Sequence, residues 1–218
     1  MRETGQAFPA YVAVVAGVLF LAFVYFAVGQ AAVLRSSAQT AADAAALGAA
    51  QDARDQLREG WLEVISDPTQ WQRFVRGSQD EYATKRACQR AAAFASLNDA
   101  ELLQNNGCVS IELGFTVTVR TEGTVGESIV PGTDERQATA TASAVIEPLC
   151  SFDPPEPSTP PPPGPDPSST PSEEPEEEED PDPISVLSCD GEDWDIDPEA
   201  PVLPAADDLF RVRLTGDE

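Results

Sequence analysis

No charged residue occurs between Ala7 and Leu34, and this uncharged run passes directly into the alanine-rich stretch from Ser36 to Ala50. A single helix can therefore begin in apolar surroundings and continue into water. A free-standing enzyme has little use for such a double stem, whereas an anchored structural subunit is built that way. Between Ala7 and Val28 lie twelve Phe, Val or Leu residues, and at about −0.3 to −0.6 kcal/mol each they favour a spanning helix by roughly 4 to 7 kcal/mol. A span needs about 20 apolar residues, so residues 7–34 suffice even if Gly29-Gln30 marks the outer boundary. Pro9 stands near the start, where its missing N–H costs little. The competing reading is a cleaved secretory signal, for which Ala27-Val28-Gly29 offers small residues; the apolar core is longer than the roughly 7 to 15 residues usual there.

The 218-residue chain carries a formal net charge of −25, and the charge is unevenly placed. Residues 1–150 hold 17 acids and 11 bases, while residues 151–218 hold 21 acids and 2 bases. Such a tail repels phosphates, so nucleic acid is set aside as a partner. Histidine is absent, which removes the commonest general base and the usual zinc ligand. No GxSxG, P-loop, HExxH or dinucleotide fingerprint occurs, so the sequence assigns no catalytic residue, metal or cofactor. Asp193, Asp195 and Asp197 have the opening spacing of a calcium loop. Pro198 stands where that loop needs its turning Gly and Pro204 where it needs its bidentate Glu, so a solvated acidic turn is the preferred reading.

Past the anchor, Leu57, Trp61, Val64 and Ile65 recur at helical spacing and give a buried stripe on a helix ending near Ser66. Asp67-Pro68-Thr69-Gln70 reads as an N-cap with Pro at the first helical position, opening a short helix through Trp71, Phe74 and Val75 with Gly77 as its stop. Ser78 to Glu81 has the form of a capping box, leading into a third helix with Ala83, Ala87, Ala91, Phe94 and Ala95 inward and its end by Asn98. After the turn signal Asn105-Asn106-Gly107, apolar residues alternate six times from Val109 to Arg120, which predicts one long strand. Ala138 to Ile146 alternate in a second strand whose small apolar face would let a helix lie close.

Thirteen prolines fall between Asp153 and Pro183, and eight of the eleven residues from Glu173 to Pro183 are acidic. This composition predicts disorder, because it buries too little apolar surface to offset ordering entropy. Beyond it, Leu209 to Leu214 reads as an edge strand that could rejoin the sheet.

The expected class is α+β: a long N-terminal transmembrane or pilin-like helix, small helical segments and an antiparallel β-hairpin. The expected divisions are a cytoplasmic leader (1–6), a transmembrane helix (7–34), an extended Ala-rich helix (35–66), a small extracytoplasmic domain (67–150), the Pro/Glu-rich segment (151–183) and a C-terminal element (184–218). Four cysteines, none in a CxxC pair and all beyond the anchor, fit an oxidising exterior. Spacing alone does not choose among their three pairings. The neighbour arrangement is favoured, with Cys88 to Cys108 stapling helix to strand and Cys150 to Cys189 flanking the acidic stretch.

Two segments carry a family resemblance. Gly5-Gln6-Ala7-Phe8-Pro9-Ala10-Tyr11 precedes the apolar run, and Ala38-Gln39-Thr40-Ala41-Ala42-Asp43-Ala44-Ala45-Ala46-Leu47 follows it. Together they resemble the tight-adherence (Tad/Flp) pilus-assembly proteins of the TadE/TadG type, with Gln39, Ala41, Ala42, Asp43 and Leu47 carrying the second motif. The Cys88 to Cys108 stretch is similar to actinobacterial members. The resemblance makes Gly5, Gln6 and Tyr11 a candidate prepilin processing site, although Ala10 stands where the family has Glu. It implies a non-enzymatic membrane protein whose partners are other pilin-like or Tad assembly proteins, with homo-oligomers as one form. It also points to the uncut, envelope-anchored branch. A generic single-pass surface spacer or adhesin is the alternative, and a secreted binding module would require cleavage near Gly29.

Overall fold

The computed structural model describes residues 7–124, 136–152, 186–196 and 203–216. One helix, α1 (Ala7–Glu63), runs 57 residues without a break, a length of about 85 Å at 1.5 Å per residue. A turn at Val64 to Ser66 ends it. Asp67 then caps a 3-10 turn (Pro68–Gln70), accepting from the Thr69 N–H at 3.2 Å, and α2 (Trp71–Val75) follows. Gly77 takes φ +68, the left-handed conformation that stops this helix.

Ser78 does not open the third helix. Its hydroxyl accepts from the Asp80 N–H of a separate 3-10 turn (Gln79–Glu81), and α3 (Thr84–Leu97) begins later. What starts α3 is Gln56 of α1, whose side-chain oxygen accepts from the Ala83 N–H at 2.8 Å. Ala83 is therefore an exposed flanking residue, while Ala87, Ala91 and Ala95 are buried.

The predicted long strand is two strands. β2 (Cys108–Ile111) and β3 (Gly114–Thr121) form a hairpin in which Ile111 pairs with Gly114 across Glu112-Leu113. Such a two-residue turn places residues i and i+3 on one face, so the parity of the alternation inverts across it. Phe115, Val117 and Val119 face the core, whereas Val109 lies on the outer face beside Thr116. A side chain at Gly114 would collide with the Ala144 carbonyl oxygen, and the glycine is what permits the close approach of the neighbouring strand.

Before that hairpin comes β1 (Ala100–Leu102), which pairs with the far half of β3, and after it come β4 (Thr139–Pro148) and β8 (Phe210–Thr215). All are antiparallel, in the order β1-β3-β4-β8 with β2 also on β3, so the C-terminal strand rejoins the sheet at its edge. A second antiparallel sheet comprises β5 (Cys150–Phe152), β6 (Val186–Cys189) and β7 (Glu192–Asp195). A single turn of helix, α4 (Ala206–Leu209), leads into β8. The mixed α+β class stands, with two sheets where a single hairpin was expected.

Packing follows from side-chain size. The inner face of the main sheet presents Phe115, Val117, Val119, Ala142, Ala144 and Ile146 to the second half of α1. α3 lies antiparallel along the same helix, since Ala83 meets Gln56 at one end and Gly48 meets Phe94 further along. α1 is thus covered on two sides, and alanine is the residue small enough for both neighbours. The outer face of the sheet is hydroxylic: Thr116 bonds Ser143 at 2.8 Å and Thr118 bonds Thr141 at 2.9 Å. One face buried and one wet is the usual state of such antiparallel sheets.

Candidate anchoring and assembly interface

α1 changes character at Leu34. The large hydrophobic side chains of its first half, from Phe8 to Val33, are exposed among the described residues; Phe20 is 68 % exposed and Tyr25 83 %. From Ala38 onward, Ala41, Ala42, Ala45, Ala46, Ala49, Ala50 and Ala53 are wholly buried. The two halves are therefore an unpartnered apolar stem and the spine of a folded head. The stem is long and apolar enough to cross a membrane, with a mean hydropathy of 2.6 over its most apolar window.

The family-motif residues occupy the start of the spine. Ala41 and Ala42 lie in the core, and Leu47 packs against it from the side. Gln39 and Asp43, one turn apart, face outward and bond each other, Nε2 to Oδ1 at 2.9 Å. This division explains the motif physically: its alanines admit α3 and the sheet, and its polar pair keeps the remaining face wet. Tyr11 lies on the stem and is 70 % exposed, with Ala10 exposed beside it. Gly5 and Gln6 lie outside the described residues.

The head is held by two disulfides. Cys88 of α3 is joined to Cys108 of β2 with the Cα atoms 5.8 Å apart, and Cys150 of β5 to Cys189 of β6 with the Cα atoms 4.0 Å apart. The second bond crosses directly paired positions of neighbouring strands. Its strands emerge near the end of α1, where the Phe152 ring lies tilted against Trp71 with centroids 5.0 Å apart and Trp71 meets Trp61 edge-on at 5.6 Å. Asp193 and Asp195 lie in β7, in extended backbone rather than in a loop able to wrap a cation, and both are exposed; Asp197 lies outside the described residues. No cluster of acids, cysteines or histidines suited to a metal occurs among the described residues.

Three features were not anticipated from the sequence. Gln56 bridges α1 to the start of α3 and donates to Asp52 at 2.7 Å, and Asp52 in turn faces Arg86 at 3.4 Å. The second hairpin turns on Asp190 and Gly191, both at positive φ, and an Asp-Gly pair between strands is the sequence signal that announces such a turn. Leu97, at the end of α3, is 79 % exposed although it is a large hydrophobic residue of the head.

The comparisons with known proteins address the stem and the beginning of the spine. Residues 5–52 match the model of the Tad family, Flp pilus-assembly TadE/G-like. The N-terminal segment, spanning the junction at Leu34, is therefore TadE/G-like in sequence. No curated protein and no solved structure matches the chain.

Proposed function

We propose that the chain is a membrane-anchored, non-enzymatic structural component of a Flp/Tad-type pilus assembly or related secretion system, of the TadE/TadG-like pseudopilin or anchor kind. One observation carries the reading: a single unbroken helix exposes its apolar first half and buries its second, and the family match runs across that change. The stem spans the membrane once and packs beside helices of other pilin-like or Tad assembly proteins, a second copy of this chain among them. Small residues such as Ala13, Ala16 and Gly17 favour close approach of helices there. The head lies outside the cytoplasm, a placement supported by two disulfides in a chain whose described cysteines are all paired. The function calls on no cofactor and no nucleic acid.

Fractionation and crosslinking in the native host test this. The expected result is a full-length chain that resists alkaline extraction from membranes and crosslinks to Tad inner-membrane components. Recovery with wall or host ligands alone would favour the surface spacer or adhesin. A soluble form cut near Gly29 would favour a secreted binding module.

A further inference from the structure

The head ends in a collar around α1 at the level where the stem begins. Leu97 and Asn98 of α3 approach Val33, Ser37 and Thr40. On another side, Thr139 and Thr141 at the start of β4 approach Arg35, Ser36 and Gln39 around a notch of about 650 Å³. Two properties of this collar bear on what it meets. Beyond the stem, Leu97 and Val109 are the large hydrophobics exposed among the described residues, and Leu97 is by far the more exposed, at 79 % against 42 %. Arg35 is the first charge after the apolar run and, like Arg58, Arg76, Lys85, Arg90 and Arg136, makes no ion pair with an acid among the described residues, so its guanidinium is open to an external anion.

We infer that the collar is a phospholipid-binding surface: Arg35, with the hydroxyl of Ser36 beside it on α1, takes headgroup phosphate, and Leu97 dips between neighbouring lipids. This inference rests on the spanning role proposed for the stem. The dimensions agree with it. Residues 7–34 extend about 42 Å as a helix, against roughly 40 to 45 Å for a bilayer with its headgroups, so Arg35 and Leu97 fall at the headgroup level. A guanidinium binds phosphate through paired N–H donors, and its aliphatic stem tolerates the apolar boundary. Asp99 beside Leu97 and Asp43 beside Gln39 temper the positive charge, so the contact is with the phosphate common to phospholipids and does not select anionic ones. The consequence is a fixed depth and an upright head.

Nitroxide labels on the full chain in phosphatidylcholine vesicles test the two parts separately. Labels are placed at Phe20→Cys in the stem, Leu97→Cys in the collar and Val109→Cys on the outer face of β2. The expected result is a ratio of oxygen to nickel-chelate accessibility that is highest at 20, several-fold above the aqueous value at 97, and aqueous at 109. A lipid-like signal at 20 with equal, aqueous signals at 97 and 109 would overturn the collar and leave the span intact. An aqueous signal at 20 would overturn both. For the phosphate, carbon-phosphorus dipolar dephasing of the guanidinium carbons should fall in Arg35→Gln relative to the parent; unchanged dephasing would remove Arg35 from the site.

Discussion

Gly48 of α1 lies directly beneath the Phe94 ring of α3: a Cβ at position 48 would stand 2.5 Å from Cδ2 and 3.0 Å from Cγ. Because Cγ is close to the backbone, the ring cannot escape merely by swinging its far edge, and Arg90 stacks over it at 5.0 Å. The contact fixes how near α3 can lie to the spine.

Gly48→Ala gains about 1 kcal/mol of helix propensity and forfeits about 1 to 3 kcal/mol to overpacking. The expected outcome is a net loss of about 1 kcal/mol in thermal unfolding of the detergent-solubilised chain. The loss should shrink when Phe94→Ala is already present, since the two sites touch. An increase in melting temperature for Gly48→Ala alone would show that the ring yields freely.

Gln56→Leu retains the bulk of a residue that is 8 % exposed but removes the acceptor for the Ala83 N–H. Leaving a donor unpaired beside the core costs about 1 to 3 kcal/mol. Denaturant titration should show that decrease, accompanied by faster amide exchange at the start of α3. Exchange there equal to the parent would mean that water replaces the glutamine.

Removing Cys88–Cys108, which closes a separation of 20 residues, should cost about 3 kcal/mol on the chain-entropy account. The Cys88→Ser/Cys108→Ser pair, compared with the parent by thermal unfolding, measures it. Peptide mapping under non-reducing conditions checks the connectivity first; a Cys88–Cys150 peptide would contradict the fold itself.

How much of this was legible in the sequence depended on whether local pattern and global partner agreed. The apolar stem, the alanine spine and the N-cap at Asp67 are statements about nearby residues, and they appear in the structure as read. The strand from Val109 to Arg120 was misread because a two-residue turn leaves the period-two pattern uninterrupted while exchanging the faces. Gly114 was the available warning. Ser78 and Glu81 have the right letters for a capping box, yet the helix begins at Thr84 because Gln56, distant in sequence, supplies the cap. β5 and β6 pair across a long intervening segment, and no local rule reports such a partner.

Acid should loosen two surface links. Hydrogen bonds from Gln70 and Thr69 hold the Asp67 carboxyl below its usual range, and the hydrogen bond from Arg213 does the same for Glu147. For a carboxyl depressed in the fold, the stabilisation is complete above its unfolded value and disappears as pH falls through the folded one. The stability contributed by these groups should therefore decline from about the ordinary carboxylate values near pH 4 downward. Asp67→Asn and Glu147→Gln should each flatten that acid limb in circular dichroism. A limb of unchanged steepness in both variants would assign the acid response elsewhere.

The bond between Cys150 and Cys189 joins the chain on either side of residues 151–188. A protease that severs the peptide backbone anywhere inside that interval leaves two pieces still covalently united, with β8 also held along β4 by its own ladder. The molecule can therefore be nicked there and remain one covalent object until a reductant arrives.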